Sequence, residues 1–444
     1  MKPITKHIFI LFFSLLFLNS FKTQAQETNS LNLSLKQAVQ KGLENNFGIR
    51  ISKKDLNAAE NNNSWGKAGL LPSVSVGANQ TNRYDNSASQ FSAGRDESYM
   101  NSLTPYLNLR MNLFSGFSVK ISKENLEHLQ SLSEGNLQMT LENSIADIIN
   151  AYNSVLLENE KLKVTKDLMQ LSKDRYNYIL MKKDLGLSVS YQVLQEKNSF
   201  LTDSSNYLTQ LMNTQNVMRE LGKTLGDNNI INYILTDSLE IKDKNFILAD
   251  LENQMYENNA SLNIQYINNK IVENNIKLAK SSLYPSLSLN AGADHTNSMM
   301  KYNTQSSTSY SYDAYANLAL TYTVFNGNNR KRAIENAKID AEKSQLQIDE
   351  LKMILRNNLY NLFEMYRIRK QMLKVAEENF KAASLNLEIS QEKFKSGIIN
   401  SFNYRDVQIL YMNAAFALSQ SKYYLLVKYN DLLRMTGKIS EEYQ

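Results

Sequence analysis

The chain has 444 residues, with 49 Lys and Arg against 44 Asp and Glu and a formal net charge of +5. A balance this even offers no concentrated basic surface and gives no case for nucleic-acid binding. The absence of Cys excludes disulfides, thiolate metal sites, a Cys nucleophile and lipid attachment at a mature N-terminal Cys.

Residues 1–25 read as a secretory signal peptide. Lys2 and Lys6 form a positive start, Ile8 to Leu18 is an apolar run broken only by Ser14, and Thr23-Gln24-Ala25 offers a cleavage site. The run is too short for a membrane-crossing helix, which needs about 20 apolar residues. Its removal takes away Lys2, Lys6 and Lys22 and no acidic residue, so the charge falls from +5 to +2. No later run is long enough for a transmembrane helix, so a membrane-spanning part has to be built from β-strands.

From Gln26 onward the sequence repeats itself. Glu44-Asn45-Asn46 recurs as Glu257-Asn258-Asn259, and Leu70, Pro72, Ser73 and Ser75 recur as Leu283, Pro285, Ser286 and Ser288, all at the 213-residue offset from Pro72 to Pro285. Phe114-Ser115-Gly116 answers to Phe325-Asn326-Gly327, Gly186 to Gly397 and Gly226 to Gly437, at the 211-residue offset from Gly116 to Gly327. Only two residues of register are lost, in a polar stretch. This divides the chain into a signal peptide (1–25), a first repeat (26–226), a connector (227–245), a second repeat (246–437) and a C-terminal tail (438–444).

Each half opens with an amphipathic helix, about Leu35 to Lys67 and Leu248 to Ser281. It stops before Leu71-Pro72 or Tyr284-Pro285, because the residue before Pro is pushed towards extended backbone. The period then changes to two. Leu103, Leu107, Leu109, Met111 and Leu113 alternate with polar neighbours, as do Tyr310, Tyr312, Ala314, Ala316, Leu318, Leu320, Tyr322 and Val324. Val74/Val76/Ala78 and Leu287/Leu289/Ala291 carry the same alternation more weakly, and polar stretches at 84–102 and 295–309 are expected to be the connecting loops. One apolar and one polar face, tyrosines near the ends and about 10 residues per crossing suit the wall of a membrane barrel. Four strands cannot close a barrel, since the smallest use about eight. An open edge in lipid leaves backbone groups unpaired, so either the hairpins lie outside a membrane or several chains share one barrel.

A long helix follows each hairpin, from just after Gly116 or Gly327 to just before Gly186 or Gly397, about 100 Å at 1.5 Å per residue. The second shows a heptad seam: Leu355, Leu359, Leu362, Tyr366, Leu373, Ala376, Phe380, Ala383, Leu387 and Phe394, interrupted by Arg369 and Ser390. The first offers Leu141, Ile145, Ile148, Tyr152, Val155, Leu162 and Met169. The tip glycines suit a left-handed helix end, and Ser190 and Ser401 suit the cap of a returning helix. The expected fold is an α+β membrane protein. It combines a long α-helical coiled-coil barrel with a transmembrane β-barrel shared between subunits, four strands per chain, on an internal twofold repeat.

In order and spacing these junctions and tips resemble the TolC-type outer membrane efflux proteins over nearly the whole mature chain. The resemblance implies a homotrimer whose tunnel crosses the periplasm from the outer membrane. It also implies a periplasmic adaptor protein and an inner-membrane efflux pump or ABC transporter as partners. Family members often narrow the periplasmic entrance with acidic rings six and nine residues after the second tip glycine. Those positions are Asn403 and Asp406 here: Asp406 matches, whereas Asn403 and its first-half equivalent Gln192 are uncharged. Tyr191, Phe394 and Phe402 lie near the same tip and point to a bulkier gate. Gly186 and Leu187, with Gly397 and Ile398, resemble the adaptor-docking tips.

Catalysis finds no footing. The mature chain has only His128 and His295, and it lacks HExxH, GxSxG and any phosphate-binding glycine loop. No cofactor or metal is expected. The competing expectation is a secreted structural or adhesive coiled-coil protein whose hairpins pack in a soluble sheet.

Overall fold

The computed structural model describes residues 30–88, 95–229, 232–241 and 244–443. The signal-peptide expectation for 1–25 lies outside them. In chain order come β1 (Ser30–Leu33), α1 (Leu35–Asn45), α2 (Phe47–Asn62), β2 (Ser73–Ala88), β3 (Arg95–Ser115), α3 (Ser118–Asp184) and α4 (Ser190–Leu225). After them come β4 (Asn232–Leu235), α5 (Leu248–Asn258), α6 (Ala260–Ser281), β5 (Ser286–Tyr302), β6 (Gln305–Thr321), α7 (Asn329–Lys395), α8 (Ser401–Met435) and the short α9 (Ile439–Tyr443). The order helix, helix, strand, strand, long helix, return helix thus occurs twice.

The opening helix of each half is broken in two, where a single helix was expected. Asn46 and Asn259 end one helix and cap the next: Asn46 Oδ1 accepts from the Ile49 N–H at 3.3 Å and Asn259 Oδ1 from the Leu262 N–H at 3.1 Å. The amides of the same side chains donate to the carbonyls of Thr224 (2.9 Å) and Met435 (3.0 Å) near the ends of the return helices. Gly226 and Gly437 complete these corners with φ of 77° and 69°. A Cβ at either would lie 2.4 Å from the Asn45 carbonyl oxygen or 2.6 Å from that of Asn258. The first-half helix also stops at Asn62, short of the expected Lys67.

The long helices α3 and α7 have 67 residues each, about 100 Å. On α7 the expected seam turns inward: Leu355, Leu359, Tyr366, Leu373, Ala376 and Phe394 are buried, and so is the polar interruption Ser390. On α3 Ile145, Ile148, Tyr152 and Val155 form the main core with Leu225 of α4 and Leu432 of α8. Near the tips the packing order across the helices is α4, α3, α8, α7, while towards the sheet α6 lies against both α3 and α7. At the level of the connector, the Tyr152 hydroxyl donates to the Leu33 carbonyl (2.9 Å) and Asp237 Oδ2 (2.6 Å), and Asp237 also accepts from the Leu35 N–H (2.7 Å). The connector thereby gains a parallel β1–β4 pair that the sequence pattern did not announce.

The four longer strands form one antiparallel sheet in the order β2-β3-β5-β6. Its register aligns apolar residues in rows across all four strands: Val76, Leu107, Ala293, Ala314, and next to it Val74, Leu109, Ala291, Ala316. The intervening rows, such as Ser75, Asn108, Gly292, Tyr315, belong to the other, polar face. The stretches expected as polar loops are largely strand. Pairing continues to Ala88↔Arg95 and to Tyr302↔Gln305, because main-chain bonds across a hairpin are indifferent to side-chain polarity. The second turn is held by Asn303, whose N–H donates to the Glu97 carbonyl at 2.8 Å. Among the described residues no helix is long and apolar enough to cross a membrane.

Two outcomes follow for stability. Asn259→Ala removes a cap and strands a carbonyl, so it should destabilise by about 1–2 kcal/mol in thermal unfolding, and Asn46→Ala by a similar amount. Glu142, on the buried side of α3, accepts from Gln138 Nε2 at 2.8 Å. Burial pushes its carboxyl pKa above the ordinary range. The folded chain therefore holds this proton more tightly than the unfolded one, and stability falls as pH rises from the unfolded pKa through the raised one. Glu142→Gln should remove that fall, giving a higher Tm than the parent at neutral pH and a flatter Tm profile below it.

Candidate functional site

The two helical hairpins end in matching turns. Gly186 and Gly397 have φ of 75° and 77°, the left-handed conformation that closes a helix without a Cβ clash. The Leu187 N–H reaches back to the Lys182 carbonyl at 2.7 Å and the Ile398 N–H to the Lys393 carbonyl at 2.8 Å, the long-range bond of a Schellman end. The return helices are capped differently from expectation. Val189 is the N-cap of α4 without a side-chain bond, and Asn400 caps α8 by accepting from the Asn403 N–H at 2.9 Å. Ser190 and Ser401 are one residue too late, the first residues of their helices, where a hydroxyl is no longer aimed at the free N–H groups.

Apolar side chains cover the outside of both turns: Leu187 and Ile398 are each 71% exposed, and Leu185, Val189, Tyr191 and Phe402 are open as well. Beneath them is a small core of Ile179, Val193, Phe394 and Tyr404, with Tyr178 edge-on to Phe394 and Tyr404 stacked on it at 4.9 Å. Phe394 is therefore a packing residue that joins the two hairpins, not an open gate side chain in this chain. Burial raises the Tyr404 phenol pKa, against the pull of Gln408 and Arg175, so it stays neutral.

Gln192, Asn403 and Asp406 all lie on exposed helix surface within the first two turns of α4 and α8. Gln192 accepts from the Ser188 hydroxyl at 2.6 Å. Asp406 has no intrachain ion pair among the described residues, and no hydrogen bond joins it to Gln192 or Asn403. Sequence reasoning passed over the polar groups just above the tip, the charged Arg175, Glu196, Asp203 and Arg405 and the amide Gln408, all but Arg405 buried. Seven-residue spacing of Glu196, Asp203 and Gln210 on one helix was the available signal, since a heptad seam with acids in it demands partners. No cluster of metal-ligating side chains occurs among the described residues.

The model of the outer membrane efflux protein family matches residues 38–227 and again 251–438, most of the chain in two successive stretches. The chain belongs to the outer membrane efflux protein family. No curated protein sequence matches it. Its fold is similar to the CmeC outer membrane channel of Campylobacter jejuni (TM-score 0.73, 15% identity, 92% of this chain and 88% of that one). It is also similar to the outer membrane protein VceC of Vibrio cholerae (TM-score 0.67, 12% identity, 91% and 96%). The open-state MtrE outer membrane channel of Neisseria gonorrhoeae matches at a TM-score of 0.68 and 13% identity, over 91% and 88%. This efflux protein is thus an outer membrane protein of a channel family, and the family is not one of enzymes.

The tip separates into surface and core, and substitutions should separate likewise. Phe394→Ala should cost about 3 kcal/mol through the lost buried ring. Leu187→Ser and Ile398→Ser, on open surface, should change the unfolding free energy by no more than about 0.5 kcal/mol in either direction, read from thermal unfolding.

Proposed function

We propose that the chain is one of three identical subunits of an outer membrane tunnel. The tunnel exports small molecules or proteins from the periplasm, or from an inner-membrane pump, to the outside. The observation that carries this reading is the sheet: one face apolar in aligned rows over four strands, the other polar, with β2 and β6 at its two open edges. Unpaired backbone groups at those edges cost several kcal/mol each in lipid, and pairing β2 of one subunit with β6 of the next satisfies them. Three chains of four strands give a closed barrel, with lipid outside and the polar face lining the lumen. The count of three comes from the family resemblance.

The helical layer supports the same closure. At its two flanks, α4 exposes Leu194, Leu201 and Leu208, and α7 exposes Leu346, Met353, Met365, Ile368, Met372 and Val375. Heptad-spaced apolar stripes left open on both outer helices suit packing against neighbouring copies. The repeated halves of the chain make a ring of alternating, similar hairpins. At the tip end, Asp406, Asn403 and Gln192 form the entrance, with one carboxylate per subunit. The apolar turns at Gly186-Leu187 and Gly397-Ile398 meet a periplasmic adaptor protein, which couples the tunnel to an inner-membrane efflux pump or ABC transporter.

Membrane fractionation tests the reading. The full-length chain should sediment with the outer membrane and need detergent, and Leu289→Arg in the apolar belt should prevent assembly at a cost of about 2–4 kcal/mol. Asn290→Arg, on the polar face, should be tolerated. Recovery of the parent in the soluble fraction would return the chain to the secreted coiled-coil alternative. In planar bilayers Asp406→Ala should raise single-channel conductance or weaken block by multivalent cations, and no change in either removes Asp406 from the entrance.

A further inference from the structure

Where the sheet meets the helical columns, the four connecting stretches carry one sign of charge. Residues 61–73, 111–123, 274–289 and 318–334 hold no Asp or Glu, and Lys67, Lys120, Lys280, Arg330, Lys331 and Arg332 stand among them. All of these basic side chains but Arg330 are exposed. None forms an ion pair among the described residues; the nearest pairs along the long helices are Lys123–Glu127 and Lys338–Glu335. The far end of the sheet is mixed by contrast, with Arg83 paired to Asp85 at 2.6 Å and with Asp96 and Glu97 directly after Arg95.

Arg330, Lys331 and Arg332 open α7, at the helix end where the backbone dipole favours acidic side chains and disfavours basic ones. Nothing in the chain offsets that cost. Arg332 donates only to the Gly327 carbonyl and Asn329 Oδ1, and Nη2 of Arg330 is covered yet unbonded. Arg330 lies over the ring of Tyr322, 5.9 Å from its centre, two residues beyond Leu320 on the apolar face of β6. Other rings gather at the same junction. Phe117 packs edge-on against Phe114 (5.3 Å) and Tyr284 (5.8 Å), yet it remains 58% exposed. It does so from a left-handed backbone, φ 67°, which a bulky side chain rarely adopts. A strained residue whose ring is left in the open serves a surface rather than a core.

We propose that this collar binds the headgroups of anionic phospholipids in the leaflet nearer the helical columns. The inference rests on the reading of the sheet as a membrane wall. Aromatic rings at a bilayer edge sit at headgroup level. Basic side chains just beyond them lay their stems along the apolar surface and extend their charges into the phosphate layer. In a zwitterionic headgroup the phosphate charge is already cancelled. The unbalanced collar therefore selects lipid with a net negative charge, such as phosphatidylglycerol.

Lipid competition in mixed micelles tests the collar. Purified full-length chain is equilibrated in detergent with equal amounts of phosphatidylglycerol and phosphatidylcholine, and the lipid retained after gel filtration is counted by mass spectrometry. The parent should hold phosphatidylglycerol in about fivefold excess or more, and high salt should shrink that excess. Arg330→Gln, Lys331→Gln and Arg332→Gln combined should lower it by at least about threefold. Arg330→Lys with Arg332→Lys keeps the charge and should keep the excess; its loss there overturns selection by charge. A parent that retains both lipids equally overturns the collar, and so does a glutamine variant with the parent's ratio. Should the triple variant fail to fold, Lys331→Gln with Arg332→Gln, both at exposed positions, decides in the same way. A parent that stays soluble without detergent and retains neither lipid overturns the membrane reading and the collar with it, a result distinct from equal retention.

Discussion

Two helices of 67 residues each can stand only if a continuous stripe along each is kept from water. An isolated helix draws little stability from propensity, and its amphipathic face has to be covered by packing. The chain covers each long helix in two parts. Towards the tips, α4 runs back along α3 and α8 along α7. Towards the sheet, the broken pairs α1–α2 and α5–α6 take over, entering through the Asn46 and Asn259 corners against the ends of the return helices. The same polar corner at both places lets a change of partner occur without leaving carbonyls unsatisfied. Everything else hangs on these columns: the strands at one end and the glycine turns at the other.

The two ends solve different solvent problems. The sheet carries its apolar residues in rows on one face, a pattern that makes sense where the outer medium is itself apolar, and leaves both edge strands open. The tip has the opposite character, with apolar side chains on exposed turns above a small aromatic core. Between the tip core and the main core, polar and charged side chains replace apolar ones in the α4 seam. An apolar seam stabilises more readily, while a polar one discriminates between registers. The chain places discrimination where two hairpins must align over a long lever arm.

The sequence anticipated the junctions well because each rests on a residue with no substitute. Left-handed backbone at Gly186 and Gly397 and extended backbone before Pro72 and Pro285 are local demands, legible in one residue type. The heptad seam of α7 was legible for a similar reason: Leu355, Leu359, Tyr366 and Leu373 are buried at the spacing the helix dictates. Local reading failed where two solutions compete locally. Ser401 and Asn400 are both good caps, and only the backbone path selected Asn400. Polar residues at 84–102 and 295–309 resembled loops, yet hairpin pairing ran through them. At the tip, Gln192, Asn403 and Asp406 each stand on exposed helix surface, so no partner within the chain defines them.

What the sequence determined by itself was a set of periodicities: period two in the strands, heptads in the long helices, and a repeat that doubled both. Those follow from side-chain chemistry and backbone geometry within a few turns of chain. The tertiary structure decided which residues meet across hundreds of positions. Arg405 and Asp203 are ordinary charged residues on helices until folding brings them within 2.6 Å in a nearly dry seam. The reason is physical: periodicity is a property of one helix, whereas the partner of a buried charge is set by the register between two.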